Sequence, residues 1–137
     1  MKSEKNMIKH SGSCICGKVK FTVSLDENPR VFNCHCSDCR KKLGGIITII
    51  QLREGSLEVD ESKLSKYTHN GGSDQIITKS FCKNCAAPLT TFVKKWGVSY
   101  LYAGLLDDIS LLKSAKNIFY QNSHFPFMEI NEDKLRI

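Results

Sequence analysis

The sequence lacks any long hydrophobic run, and the longest apolar stretch, residues 46–50, is only the length of a strand. A membrane-spanning helix needs about 18 or more consecutive apolar residues, so we expect none here. The first six residues are polar and of mixed charge, and no apolar segment typical of a signal peptide follows them. These absences predict a soluble, cytoplasmic protein.

The sequence has no long run of residues of like charge. The 20 lysines and arginines exceed the 14 aspartates and glutamates, which gives a net charge of +6, but no run of five basic residues occurs. Dispersed lysines are typical of a solvated surface, whereas nucleic-acid binders cluster their basic residues. A nucleic-acid partner is therefore disfavoured but left open, and a second interpretation is that the positive field attracts a small anionic substrate.

The composition is that of an ordinary globular protein. The chain has 137 residues, of which 41% are hydrophobic and 25% are charged. This length corresponds to about one domain, which is large enough to bury a core without disulfide bonds. We therefore treat residues 1–137 as a single domain.

The hydrophobic pattern predicts a mainly β protein, built as antiparallel sheet with few short helices. Alternating and β-branched segments indicate strands, and the sequence NGGS at 70–73 marks a hairpin turn. A short helix is expected over 37–42 with Ser37 near its N-cap, and residues 105–112 are ambiguous between a loop and a short helix. The predicted strands are 17–24, 46–52, 65–68, 75–81, 89–93, 98–103 and 117–120.

Seven cysteines are the most informative residues of the chain. An odd number without a secretion signal argues against a disulfide framework, and spaced cysteines in a reducing compartment favour metal binding or catalysis. They form three clusters, at Cys14 and Cys16, at Cys34, Cys36 and Cys39, and at Cys82 and Cys85. Tight clusters of this kind are hard to explain as buried apolar side chains.

The first and last clusters supply four thiols, the number that a closed structural zinc site requires. The middle cluster then has three thiols, and zinc held by three protein ligands keeps one position open, as in catalytic sites. His35 would close that site as a fourth ligand, although in an extended segment its side chain points away from its neighbours. Other groupings of the seven thiols remain possible, and thiolates alone do not exclude iron.

Four segments together resemble a known protein family. The sequences SGSCICG at 11–17, CHCSDCRK at 34–41, FCKNC at 81–85 and GLLDD at 104–108 occur in the order seen in glutathione-dependent formaldehyde-activating enzymes, a family that includes the centromere protein V group. The resemblance covers about residues 11–126 and implies the Mss4-like fold, a zinc-containing β-sheet domain. Ala86 and Ala87 depart from the pattern, since the family usually has glycine after the last cysteine.

The resemblance also implies a function for each cysteine group. It assigns a structural zinc to Cys14, Cys16, Cys82 and Cys85, and a catalytic site to Cys34, Cys36 and Cys39. Whether a second zinc ion occupies that catalytic site is left open by the sequence. The implied activity is that of a carbon–sulfur lyase acting on a thiol adduct such as S-hydroxymethylglutathione, with a small thiol, glutathione or similar, as substrate. Because fold does not fix function, two other interpretations stay open: a non-catalytic zinc module that binds a protein or nucleic acid, and a thiol-based redox or zinc-responsive protein.

Overall fold

The computed structural model describes residues 7–71 and 75–118, together with the backbone of a two-residue strand near the C-terminus. Strands dominate these residues, and the one α-helix among them, α1, spans Ser37–Leu43. Short 3-10 turns occupy Glu61–Lys63, Ala103–Leu105 and Ser110–Ser114. The strands are β1 Ile8–Ser13, β2 Lys20–Leu25, β3 Val31–Cys34, β4 Ile47–Gln51, β5 Leu57–Val59, β6 Leu64–Asn70, β7 Ile76–Cys82, β8 Pro88–Val93, β9 Val98–Tyr102, β10 Lys116–Ile118 and β11 Leu135–Arg136.

The strands form two sheets. The smaller sheet has the order β1-β2-β5, and the larger has the order β11-β10-β3-β4-β9-β8-β7-β6. All pairs are antiparallel except those that β10 makes with β3 and β11. The structure therefore confirms the predicted mainly β, antiparallel architecture. No helix in the described ranges is long and apolar enough to span a membrane.

The core contains side chains from both sheets. In β2 the buried residues alternate with exposed or half-buried ones, as expected for a strand with one face inward. Phe21 and Val23 of β2 belong to the same buried cluster as Ile50 of β4 and Leu101 of β9. Burial of such apolar side chains contributes about 1.5–3 kcal/mol each, so this cluster holds the two sheets together.

The predicted hairpin is present, and β6 and β7 pair over seven residues from Leu64 opposite Cys82 to Asn70 opposite Ile76. Part of the predicted NGGS turn lies outside the described residues, as do the last two positions of the strand predicted at 117–120. The ambiguous segment 105–112 is a succession of 3-10 turns and a β-bridge rather than an α-helix. The strand predicted at 46–52 is present as β4, and Ile50 is its one fully buried residue.

Four strands were not predicted: β1 and β5 of the smaller sheet, and β3 and β11 of the larger one. The sequence of β1, IKHSGS, has a single large apolar residue, and β5 is only three residues long. Both are stabilised by pairing with β2, which lies between them. Their strand character depends on this partner, so local periodicity does not reveal them.

One face of the larger sheet carries α1, and we call it the helix face. Cross-strand partners point to the same side of a sheet, so the register places Tyr67, Lys79 and Thr91 together on one face. The same register places Tyr102 and Cys34 on that face. The Lys42 ammonium group of α1 lies 3.6 Å from the centre of the Tyr67 ring, which shows that the helix packs over this face.

Candidate metal centres

Four cysteine sulfurs from distant parts of the chain meet at one point. Cys14 and Cys16 lie in the loop after β1, Cys82 is the last residue of β7, and Cys85 lies in the turn that follows. The Cys16 sulfur is 3.4 Å from that of Cys14 and 3.7 Å from that of Cys82, and all four lie within 4.8 Å of one another. A tetrahedral zinc site with Zn–S bonds of about 2.3 Å has S···S edges of about 3.8 Å. The four sulfurs therefore have a spacing that fits a single metal ion.

Two tight turns orient these sulfurs. Gly17 has φ +80°, a backbone conformation that glycine adopts without strain, and its N–H bonds to the Cys14 carbonyl oxygen. The Val19 N–H donates to the Cys14 sulfur at 3.3 Å. In the other turn, the N–H groups of Asn84 and Cys85 donate to the Cys82 sulfur at 3.3 and 3.4 Å. Backbone N–H groups aimed at a sulfur stabilise the thiolate, the form that binds metals.

The thiols of the four-cysteine cluster do not all ionise equally easily. A hydrogen bond from the Asn84 side chain and another from the Lys18 backbone lower the pKa of Cys16 to about 6. Burial opposes ionisation of Cys14, but the Val19 N–H and hydrogen bonds with Cys82 and Cys85 outweigh it, so the pKa of Cys14 is also lowered. For Cys82 the backbone N–H groups favour the thiolate, but burial and the neighbouring thiols outweigh them and raise its pKa. Binding of a cation would ionise the remaining thiols, so metal binding at this cluster releases protons to the solvent.

The turn after Cys85 contains a strained residue. Ala86 has φ +67°, and it is the one non-glycine residue with a positive φ in the described part of the chain. The conformation closes the turn, because the Ala86 N–H donates to the Cys82 carbonyl oxygen at 2.9 Å. A Cβ atom in this left-handed region costs about 1–2 kcal/mol. The departure from the family's usual glycine is therefore a local strain beside the four-cysteine cluster.

We expect Ala86→Gly to stabilise the protein by about 0.5–1 kcal/mol, since relief of the strain exceeds the added flexibility of the unfolded chain. Urea denaturation of the metal-loaded protein measures this change. Ala87→Gly is the matched control, because Ala87 has no positive φ, and it should destabilise the protein by about 0.5–1 kcal/mol. Equal destabilisation by both variants would contradict the presence of strain at Ala86.

The remaining three cysteines form a second cluster on the helix face. Cys34 ends β3, Cys36 is the N-cap of α1, and Cys39 lies in the first turn of that helix. The Cys34 sulfur is 3.3 Å from that of Cys36 and 3.1 Å from that of Cys39. The predicted cap, Ser37, is instead the first helical residue, and the Cys36 sulfur accepts the Cys39 N–H at 3.3 Å.

The three sulfurs share charge unevenly in the metal-free protein. Hydrogen bonds from Cys34 and Cys39 lower the pKa of Cys36 to about 2, so this thiol ionises first. The same hydrogen bonds raise the pKa of Cys34 to about 11 and raise the pKa of Cys39 still further. One negative charge therefore sits on Cys36 at neutral pH, and a bound cation is needed to ionise the other two thiols.

His35 does not join this cluster. Its side chain is buried, and Nε2 forms a hydrogen bond of 2.7 Å with the Asn117 amide oxygen. The group of potential metal ligands at this point contains the three cysteines without His35. The alternative in which His35 is the fourth ligand is thus not supported, and among the described residues the cluster offers three potential ligands, all of them cysteine sulfurs.

Lys79 and Tyr102 also belong to this site, and sequence reasoning missed both. Lys79 Nζ donates to the Tyr102 hydroxyl oxygen at 3.1 Å and to Thr91 Oγ1 at 3.4 Å. Burial lowers the pKa of Lys79, whereas burial and the charge of the three cysteine sulfurs raise the pKa of Tyr102. The two residues lie 23 positions apart on different strands, and neither stands in a motif that the sequence reveals.

The seven cysteines fall within the region of the chain that matches known proteins. Residues 9–122 match the sequence model of the family described as "Glutathione-dependent formaldehyde-activating enzyme". A Halomonas elongata protein named "Putative glutathione-dependent formaldehyde-activating enzyme" is 34% identical over 93 residues, 62% of this chain. That match spans 57% of the relative, little more than half of its length.

A solved structure shows the same fold. The crystal structure of a Rhodobacter sphaeroides protein has a TM-score of 0.54 with this chain and covers 75% of it, while 91% of that protein is matched. At 22% identity this likeness concerns the fold alone. The sequence match, in contrast, extends over most of the chain and includes both cysteine clusters. The chain therefore belongs to the family of glutathione-dependent formaldehyde-activating enzymes.

Proposed function

We propose that this protein is a zinc-dependent enzyme that forms and cleaves the carbon–sulfur bond between a small thiol, glutathione or similar, and formaldehyde. One domain would hold two zinc ions, a structural one at the four-cysteine cluster and an open one at the three-cysteine cluster. The observation that carries the proposal is the difference in sulfur number, four against three, between two clusters that each have metal-binding spacing. Four thiolates complete a tetrahedral zinc site, whereas three leave a position for substrate.

The chemistry of the donors fits zinc at both clusters. All of the ligand atoms are cysteine sulfurs, which zinc binds well, and backbone N–H groups stabilise a sulfur in each cluster. When bound at the three-cysteine cluster, zinc would hold a substrate thiol as its thiolate, because a coordinated thiol is deprotonated. Cys34, Cys36 and Cys39 would hold that ion, and α1 and β3 fix their positions.

The charge around the three-cysteine cluster suits an anionic thiol. Arg40, Lys41 and Lys42 lie in the last turn of α1, and Lys79 lies on the sheet face beneath. Glutathione carries two carboxylates and one ammonium group, so a positive surrounding favours its approach. This observation supports a carboxylate-bearing thiol over a neutral or cationic one.

Exchange spectroscopy by NMR tests the proposal. In a mixture of glutathione and formaldehyde at equilibrium, we expect the zinc-loaded protein to accelerate exchange between glutathione and S-hydroxymethylglutathione in proportion to protein concentration. The Cys36→Ser protein is the control, because it lacks one of the three sulfurs. An exchange rate equal to that of buffer, with two zinc ions bound per chain, would show that the protein is not this enzyme.

A further inference from the structure

Lys79 is an ammonium group without a carboxylate partner among the described residues. It is half-buried on β7, one strand in from the edge of the larger sheet, and its two hydrogen-bond partners are neutral oxygens, those of Tyr102 and Thr91. The lysines and arginines that do form ion pairs in the described residues, such as Lys66 with Glu61, are exposed. Desolvating a cation costs free energy unless an anion is close, so its position calls for an anionic neighbour.

The anionic neighbour of Lys79 is the three-cysteine cluster, together with any anionic ligand that binds to it. The strand register places Lys79 and Tyr102 on the same face of the larger sheet as Cys34. The Cys34 sulfur lies 3.3 Å from that of Cys36 and 3.1 Å from that of Cys39, so the whole cluster is on this face. Tyr102 is only 4% exposed, which places its hydroxyl group in a largely desolvated setting. Hydrogen bonds and charges act more strongly there than in water.

Lys79 and Tyr102 both have a hydrogen left to donate. An ammonium group carries three N–H donors, and Lys79 uses two of them on Tyr102 and Thr91. The Tyr102 hydroxyl oxygen accepts from Lys79, and burial keeps this phenol protonated by raising its pKa. Each residue therefore offers a donor to a third group on the helix face.

The proposed reaction creates a need for such donors. Addition of a thiolate to an aldehyde moves negative charge onto the aldehyde oxygen. Three cysteine thiolates leave a bound zinc ion with a net charge of about −1, which makes it a weak electrophile toward that oxygen. Stabilisation of the oxygen must then come from protein groups placed beside the sulfur site.

We propose that Lys79 and Tyr102 form a donor pair that binds the oxygen atom next to the sulfur of the bound ligand. This inference rests on the proposed function and assigns the residues that stabilise the oxygen in the carbon–sulfur step. The thiolate sulfur forms a bond to the carbonyl carbon, the C=O π bond breaks, and its electron pair moves to oxygen. That oxygen accepts the Tyr102 O–H and takes a proton from the Lys79 ammonium group, which regains one from water. In cleavage each of these movements is reversed.

Kinetics of two conservative variants test the role in turnover. Removing one such donor reduces turnover by about 100-fold or more in comparable sites, so we expect that loss for Lys79→Met and for Tyr102→Phe. Zinc content should stay at the wild-type value, because neither substitution removes one of the cysteine sulfurs. Lys66→Met is the matched control, since Lys66 is exposed beside Glu61. Wild-type turnover in both Lys79→Met and Tyr102→Phe would overturn the inference.

A binding experiment tests the donor pair without turnover. Calorimetry on the zinc-loaded protein compares mercaptoacetate, which carries oxygens close to its sulfur, with ethanethiol, which has none. We expect the ratio of the two affinities to fall by about tenfold in Lys79→Met relative to wild type, a change of about 1.4 kcal/mol. Tyr102→Phe, which removes a single oxygen atom, should lower the same ratio and serves if Lys79→Met is unstable.

The two experiments separate the inference from the function on which it rests. An affinity ratio that is the same in wild type and both variants would overturn the donor pair, whatever the turnover. A ratio that falls as expected, in a protein that does not accelerate the exchange of glutathione with its formaldehyde adduct, would support the donor pair as a recognition site. That result would at the same time reject the proposed enzyme.

Discussion

Cys82→Ser is expected to abolish the cooperative folded state or to lower the free energy of unfolding by more than about 3 kcal/mol. Cys82 is 2% exposed, and its sulfur lies at the end of β7 against the loop that follows β1. A structural zinc ion in small domains contributes about 10–16 kcal/mol of apparent binding free energy, which is comparable with the whole stability of a domain. Serine leaves a buried hydroxyl group where a thiolate should complete the metal site.

Urea denaturation and native mass spectrometry together measure this effect. The wild-type protein should carry two zinc ions per chain. Removal of the ion from the four-cysteine cluster by a chelator should destabilise the wild-type protein to the same extent as Cys82→Ser does. Cys36→Ser is the matched control, because it makes the same chemical change in the other cluster and should leave the fold intact. A Cys82→Ser protein with wild-type stability and full zinc content would show that the four sulfurs do not form a structural site.

The grouping of the seven cysteines could be predicted from the sequence because it depends on local spacing. Counting ligands groups the seven thiols as four and three, and the structure places their sulfurs in the same two groups. The C-x-C and C-x-x-C spacings define tight turns, so each half of the four-cysteine cluster is encoded over a few residues. The joining of the two halves follows from the need for four ligands.

The donor pair beside the three-cysteine cluster could not be predicted from local sequence patterns. Lys79 and Tyr102 come together because β7, β8 and β9 are neighbours in the larger sheet, a fact that depends on the register of long-range pairs. In the sequence, each is an ordinary polar residue in a strand. The same holds for His35, whose bond to Asn117 depends on the parallel pairing of β3 with β10.

Strand β7 contains both a ligand of the four-cysteine cluster and a residue of the donor pair. It ends at Cys82 in the four-cysteine cluster, and Lys79, three residues earlier, faces the three-cysteine cluster. An ion at the first cluster would therefore fix the strand that positions the donor pair of the second. Loss of the structural ion should consequently reduce activity even where the three-cysteine cluster is chemically unchanged.

Cys36→Ser is expected to remove the activity while preserving the fold. Cys36 is the N-cap of α1, and serine is a preferred N-cap that can accept the same Cys39 N–H. The substitution therefore keeps the cap and deletes one of three sulfurs, which leaves too few thiolates for a firm zinc site. We expect one zinc ion per chain, no measurable binding of glutathione, and an exchange rate equal to that of buffer.

Comparison with alanine separates the cap from the metal site. Cys36→Ala should lose the zinc ion and the activity as Cys36→Ser does, but it also removes the cap and should cost about 1 kcal/mol of stability relative to serine. Native mass spectrometry gives the zinc count, and urea denaturation of the two variants gives the difference in stability. A Cys36→Ser protein that keeps two zinc ions and wild-type exchange would mean that the reaction does not depend on a three-sulfur site. A Cys36→Ser protein with wild-type stability, one zinc ion and no exchange activity would instead place the reaction at the three-cysteine cluster on the helix face. The four-cysteine cluster would then have a purely structural role.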